Sequence, residues 1–195
     1  KFTERREKYH SRILKLITSG QLLPVILEAI VLGVEDENPA MICSILLLDE
    51  TGKHLLNGAA PSLPDFYNQA THGMDIGVGA GSCGTSAFTG ERVIVDDIQN
   101  HPYWKNFKEA AGKAGLGACW SQPIRSTEGK VLGTFAIYHR EAHKPTEEDI
   151  ELIEQIADLA SIAIEQIQTK LTLQSSEERY ALAMKGTQDG IWDWN

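Results

Sequence analysis

The sequence predicts an α+β domain: an antiparallel sheet packed on one face by helices from the two ends of the chain. Three observations carry this prediction. Two pairs of apolar runs, 41–48 with 54–60 and 118–124 with 131–139, are each joined by a short turn rich in Asp, Glu, Ser, Thr and Gly, the mark of β-hairpins. Amphipathic helical spacing occupies both ends of the chain. The order helix–strand–strand–helix–strand–helix–strand–strand–helix contains no regular βαβ alternation.

Composition narrows the function classes. The 195 residues include 18 Lys and Arg against 27 Asp and Glu, a net charge of −9, and 42% of them are hydrophobic. Such a chain buries a core without staples, which excludes disorder and a disulfide scaffold. Its acidity argues against nucleic-acid binding, which requires a basic footprint. No window approaches the roughly 20 apolar residues of a membrane span. Cys43, Cys83 and Cys119 form an odd set with no Cys-x-x-Cys, which fits a reducing, cytoplasmic setting. The start at Lys1-Phe2 has neither an initiator Met nor an apolar signal core, and reads as a piece of a longer protein.

Each element has a local reason. Tyr9, Ile13, Leu16 and Ile17 give an amphipathic helix over 1–18, broken by Ser19-Gly20. Leu22 to Leu32 gives a second helix, with Pro24 in its first turn and Gly33 as its expected stop. A hairpin over 41–60 turns at Asp49–Lys53, and a short helix is expected near 65–70. The stretch Ile76–Ser82 is glycine-rich, then helical for two turns, with a short strand at Val93–Val95. Asn100–Trp104 turns into a polar helix at roughly 105–114. After the second hairpin, Thr146 caps a long helix whose first turn holds three acids, favoured by the helix dipole. That helix is expected to run to about Leu173, with Ser175-Ser176-Glu177-Glu178 opening a new one.

These residues carry a resemblance. Gly81-Ser82-Cys83-Gly84-Thr85-Ser86-Ala87, Val95-Asp96-Asp97-Ile98, Trp104, Gly117 to Ile124, Gly129 to Ala136 and Pro145-Thr146-x-x-Asp149, in that order, resemble a GAF domain of the bacterial sensor type over about 20–168. Arg179 to Gly186 and Asp189 to Trp194 resemble the opening of a PAS domain. The resemblance implies a signalling helix at 1–18, a GAF domain at 19–168, and a linker helix with a truncated PAS start at 169–195. It also implies a GAF/PAS-like sheet with terminal helices on one face and a ligand-type pocket on the other. The implied role is a cytoplasmic, non-catalytic input module of a histidine kinase or of a cyclic-di-GMP cyclase or phosphodiesterase. A ligand-free dimerisation spacer is the alternative, with an enzyme like free methionine-R-sulfoxide reductase ranking lower.

By strand alternation Cys119, Ser121 and Pro123 share one face, as do Thr134, Ala136 and Tyr138 on the next strand. In a GAF sheet both sets are expected to face the ligand, leaving Val131, Phe135 and Ile137 toward the terminal helices. With Ser82, Cys83 and Thr85 from the central helix and Trp104 as a lid, they form the expected binding set. The bland reading of Cys83 and Cys119 is small apolar packing. Gly77-x-Gly79-x-Gly81 lacks the ending of a phosphate loop and reads as a tight backbone turn. Asp96 and Asp97 read as turn and capping residues. Trp120 points opposite to Cys119 and is expected to anchor the core.

The cofactor is left unknown. No Cys is followed by His, as bilin attachment in related domains requires, and the Asn-Lys-Phe-Asp-Glu signature of cyclic-nucleotide GAF domains is absent. His72, His101, His139 and His143 lie in polar or strand-end settings where solvation is the default. No metal-ligand spacing is present. The reductase family carries carboxylates where this chain has Cys119, Ala136 and Tyr138. On the last helix, Ile153, Ala160, Ile164, Ile167 and Leu171 read as a coiled-coil seam for a parallel homodimer.

Overall fold

The computed structural model describes residues 2–189, with side chains from Tyr9 to Met184. Two helices come first, α1 (Phe2–Thr18) and α2 (Leu23–Glu37), then β1 (Ile42–Leu48), β2 (His54–Ala59), α3 (Asp65–Thr71) and β3 (Met74–Asp75). The second half holds α4 (Gly81–Thr89), β4 (Val93–Val95), a 3-10 turn at Pro102–Trp104, α5 (Lys108–Lys113), β5 (Ala118–Arg125), β6 (Val131–His139) and α6 (Glu147–Asp189). The sheet has six strands in the order β3-β2-β1-β6-β5-β4, every pairing antiparallel. The two expected hairpins therefore lie side by side, joined through β1 and β6.

Alternation sorts the side chains into two cores. On one face Ile45, Trp120, Phe135 and Ile137 pack against Ile26 and Ile30 of α2 and Ile153, Ile156 and Ala160 of α6. On the other, Leu46, Cys119, Ala136 and Tyr138 pack against Cys83, Trp104 and Tyr67. Val131 departs from the expectation. The β5–β6 register slips between Ile124 and Arg125, and this bulge moves Val131 to the Cys119 side while Leu132 packs toward the helices.

Three local expectations are corrected. Gly33 lies inside α2, because it serves a close approach: a Cβ there would fall 2.0 Å from the Tyr9 ring of α1. The Tyr9 hydroxyl donates to the Ile30 carbonyl at 2.6 Å, fixing that crossing. Gly33→Ala is expected to undock the start of α1, so that tryptic cleavage after Arg12 accelerates several-fold while the unfolding midpoint of the sheet moves little. The polar helix is shorter than expected, at Lys108–Lys113, because the 3-10 turn and a bend come first. Strand β3 is two residues long, too short to show periodicity.

The third correction concerns α6, which runs without a break through Ser175-Ser176. Serine in a helix costs only about 0.5 kcal/mol relative to alanine, and no Gly or Pro stands there. The helical part of the PAS-like tail is thus the end of α6, while the strand expected at 189–194 lies, beyond Asp189, outside the described residues. At the other end Thr146 caps as expected. Its hydroxyl accepts from the Asp149 N–H at 3.2 Å, and Asp149 accepts from the Thr146 N–H at 2.8 Å, a reciprocal capping box.

At the junction of β6 and α6, His139 is buried rather than solvated. Its ring lies 4.6 Å from Trp120 and 4.4 Å from His143, and its Nε2 has no hydrogen-bond partner. Burial lowers its pKa, His143 lowers it further, and Asp149 opposes both. The folded state therefore favours neutral His139, a contribution present above the ordinary histidine pKa and lost as pH falls below it. The melting temperature is expected to drop between about pH 7 and pH 5, and His139→Gln is expected to flatten that drop.

Candidate functional site

The glycine-rich loop enters α4 through two left-handed residues, Gly79 (φ 90) and Gly81 (φ 64), a conformation that a side chain would strain. Thr85, one turn into the helix, holds the loop in place. Its hydroxyl accepts from the Gly79 N–H at 3.1 Å and donates to the Gly81 carbonyl at 2.7 Å. This sets the first turn of α4 directly on β5. Ser82 Oγ donates to the Cys119 carbonyl at 3.1 Å and accepts from Trp104 Nε1 at 3.0 Å. Helix, strand and the Trp104 turn thus meet at one buried hydroxyl.

Beside Ser82, Cys83 Sγ lies 3.8 Å from the Tyr138 hydroxyl, which also accepts from Ser44 Oγ at 3.4 Å. Tyr67 of α3 meets Tyr138 edge to face, the ring centroids 6.2 Å apart. Between Leu46, Tyr67, Met74, Cys83, Trp104 and Tyr138 is a void of about 20 Å³, room for about one water molecule. None of the described residues lining it is charged. Ser121 Oγ and Thr134 Oγ1 are fully buried beside Cys83, on the same face of the sheet.

Hydrogen bonding by the neighbouring Cys119 thiol, and then by nearby hydroxyls, outweighs burial and holds Cys83 below the ordinary thiol range. Burial is the largest influence on Cys119 and on Tyr138 and pushes both up.

Of the expected set, Ser82, Cys83, Trp104, Cys119, Ser121, Thr134, Ala136 and Tyr138 gather on this side of the sheet, all buried. Thr85 is buried too, but its hydroxyl is spent on the glycine loop, not on the void. Sequence reasoning passed over Ser44, which alternation with Ile42 and Leu46 on β1 places on the pocket face. It also passed over Tyr67, which sits on a seven-residue helix too short to show periodicity. Asp97 takes the turn role, accepting from the Gln99 N–H and from Asn100 Nδ2, and Asp96 pairs with Lys144 at 3.6 Å. Trp120 anchors the opposite core, its Nε1 donating to the His143 carbonyl at 3.1 Å.

On the dimer side, Ile153, Ala160 and Ile164 are buried by their own chain against the sheet, and Ile167 packs at the edge of that core. The sheet of the same chain therefore covers this part of the stripe. Leu171, 59% exposed, lies beyond the sheet with Leu173, Tyr180 and Leu182. No helix among the described residues is long and apolar enough to cross a membrane.

Residues 19–165 match the GAF domain family. The chain is 42% identical over 182 residues to the methyl sulfide methyltransferase-associated sensor of Methanosarcina acetivorans, covering 93% of this chain and 18% of that protein. It therefore spans less than a fifth of that relative's length. Among solved structures, residues 122–287 of a methyl-accepting chemotaxis protein superpose with a TM-score of 0.67 at 24% identity, over 83% of this chain and 97% of that one. The free methionine-R-sulfoxide reductase of Neisseria meningitidis, in complex with its substrate, superposes with a TM-score of 0.65 at 16% identity, over 84% and 90%. At such identities these two structures show the shared fold.

Proposed function

We propose, from the premise that this chain belongs to the GAF-domain family, that it is a non-catalytic sensory module whose pocket beneath Trp104 takes a small neutral molecule. The carrying observation is the uncharged void beneath Trp104, with the Ser82, Cys83 and Tyr138 side chains on its wall. A charged ligand would need a charged partner in such a desolvated place, and none lines it. The name of the Methanosarcina relative attaches that sensor to a methyl sulfide methyltransferase. Methyl sulfides are small, neutral and largely apolar, so they are the first ligands to test. The module is proposed to act in the cytoplasm, ahead of a PAS domain and an output domain such as a histidine kinase or a cyclic-di-GMP enzyme.

Entry of a ligand would lift Trp104 and shift α4, and two contacts support transmission from there. The Arg125 guanidinium donates to the Gly90 carbonyl at the end of α4, and the Arg125 carbonyl accepts from Ser161 Oγ of α6 at 2.5 Å. Just past α4, Arg92 pairs with Glu154 of α6 at 2.6 Å. Helix α6 is then the output rod, a two-state element biased by the pocket. Its exposed Ile162 and Leu173 lie eleven residues, about three turns, apart on one line of the helix. A parallel homodimer along this half of α6 replaces the buried stripe. Ile162→Glu with Leu173→Glu is expected to weaken self-association at least tenfold in sedimentation equilibrium without lowering the melting temperature.

One observation favours a second reading. The void is nearly filled by the chain's own side chains, as a ligand-free dimerisation spacer would have it. Native mass spectrometry in reducing buffer separates the two: a bound small mass, or one acquired on adding dimethyl sulfide, supports the sensor, and a protein that stays bare throughout supports the spacer. Reductase activity is disfavoured because Cys119, Ala136 and Tyr138 stand where that family carries substrate-holding carboxylates.

A further inference from the structure

We infer that Cys83 and Cys119 form a dithiol centre inside the pocket that a small peroxide oxidises to an intrachain disulfide. This goes beyond the ligand reading and holds whether or not the pocket takes a ligand. All three cysteines of the chain are free and buried, but they are not equivalent. Cys43 sits on the helix-facing side of β1, paired with Ile137 and packed in the apolar core. Cys83 and Cys119 sit together on the other side, one in the first turn of α4 and one on the strand beneath it. The Ser82 hydrogen bond to the Cys119 carbonyl fixes that contact.

Hydroxyl groups surround the pair, whereas Cys43 packs in the helix-facing core with the Glu35 carboxylate beside it, which disfavours its thiolate. The Tyr138 hydroxyl reaches Cys83 Sγ, and the buried Ser121 and Thr134 hydroxyls lie alongside. Such groups steady a thiolate and offer partners to the oxygens of a peroxide. The void opens onto Cys83, so a molecule little larger than water meets that sulfur first. Cys83 is therefore the attacking sulfur and Cys119, behind it on the strand, the resolving one.

The chemistry balances. Cys83 gives up its thiol proton, and its sulfur attacks one peroxide oxygen. The O–O bond breaks, and the departing hydroxide takes the proton as water, leaving Cys83 as a sulfenic acid. The Cys119 sulfur attacks that sulfur, the S–O bond breaks, and the hydroxyl leaves as a second water with the Cys119 proton. Two thiols have lost two electrons and the peroxide has gained them. An S–S bond of about 2.05 Å draws α4 onto β5 and closes the void, so oxidation and ligand entry compete.

The test is peptide mapping of the folded full chain, freed of reductant, exposed to hydrogen peroxide, then denatured and alkylated. Alkylated thiols are expected to fall from three to one, with Cys43 the one remaining and a Cys83–Cys119 linked peptide that dithiothreitol reverses. Cys43→Ser is expected to react at the wild-type rate. Cys119→Ser is expected to stop at a sulfenic acid on Cys83, trapped by dimedone. Three alkylated thiols from peroxide-treated folded protein, or a linkage through Cys43 or between chains, overturns the inference. The wild-type map decides this even if a variant fails to fold, and ligand titrations do not affect it.

Discussion

Replacing Trp120 by alanine is expected to lower the stability of the domain by about 3–5 kcal/mol, the largest single effect in the chain. The indole is fully buried at the centre of the helix-facing core, beside Phe135 and Ile137, and no neighbour is free to fill its place. Its Nε1 also ties the strand to the His143 carbonyl in the loop that launches α6, so the loss reaches the output helix. Against a typical stability of about 5–15 kcal/mol, the variant is expected to be partly unfolded at growth temperature. Urea denaturation followed by far-UV circular dichroism measures it. A loss below about 1 kcal/mol would show that Trp120 does not anchor the sheet to α6.

Trp104→Ala is expected to have the next largest effect, and a more local one. The ring is 3% exposed, walls the void, and donates to Ser82. Removing it costs roughly 3 kcal/mol by the usual large-to-small scale and converts a one-water void into an open pocket. Amide exchange over 80–88 and 102–107 is expected to accelerate at least tenfold while β1 and β6 stay protected. Trp104→Phe keeps most of the packing and drops the hydrogen bond, so it is expected to cost only about 1 kcal/mol. If both variants loosen the entire sheet alike, Trp104 is a core residue and not a lid.

The strands were legible because each carries a single face pattern bounded by turn residues. Alternation alone assigned Cys119, Ser121, Thr134, Ala136 and Tyr138 to one side and Trp120 to the other. It failed at Val131, since a one-residue bulge between Ile124 and Arg125 inverts the parity and leaves no mark in residue type. Gly33 was misjudged because glycine has two uses, stopping a helix and admitting a neighbour, and only the position of Tyr9 distinguishes them. The stripe on α6 carries a similar ambiguity. Ile153, Ala160 and Ile164 have the spacing of a seam, but the sheet of their own chain already occupies that face. Of the pocket, the helix entry and strand faces were readable, whereas Ser44 and Tyr67 depend on tertiary placement.

The central claim is that the face beneath Trp104 is a ligand pocket coupled to α6. Two-dimensional amide NMR of the reduced protein, titrated with dimethyl sulfide and a panel of small neutral molecules, tests it most directly. The account predicts saturable shifts over 80–88, 102–107, 119–123 and 134–138, with smaller shifts at Arg125, Glu154 and Ser161. Shifts confined to the helix-facing core, or none with any member of the panel, would contradict it and leave the domain a spacer.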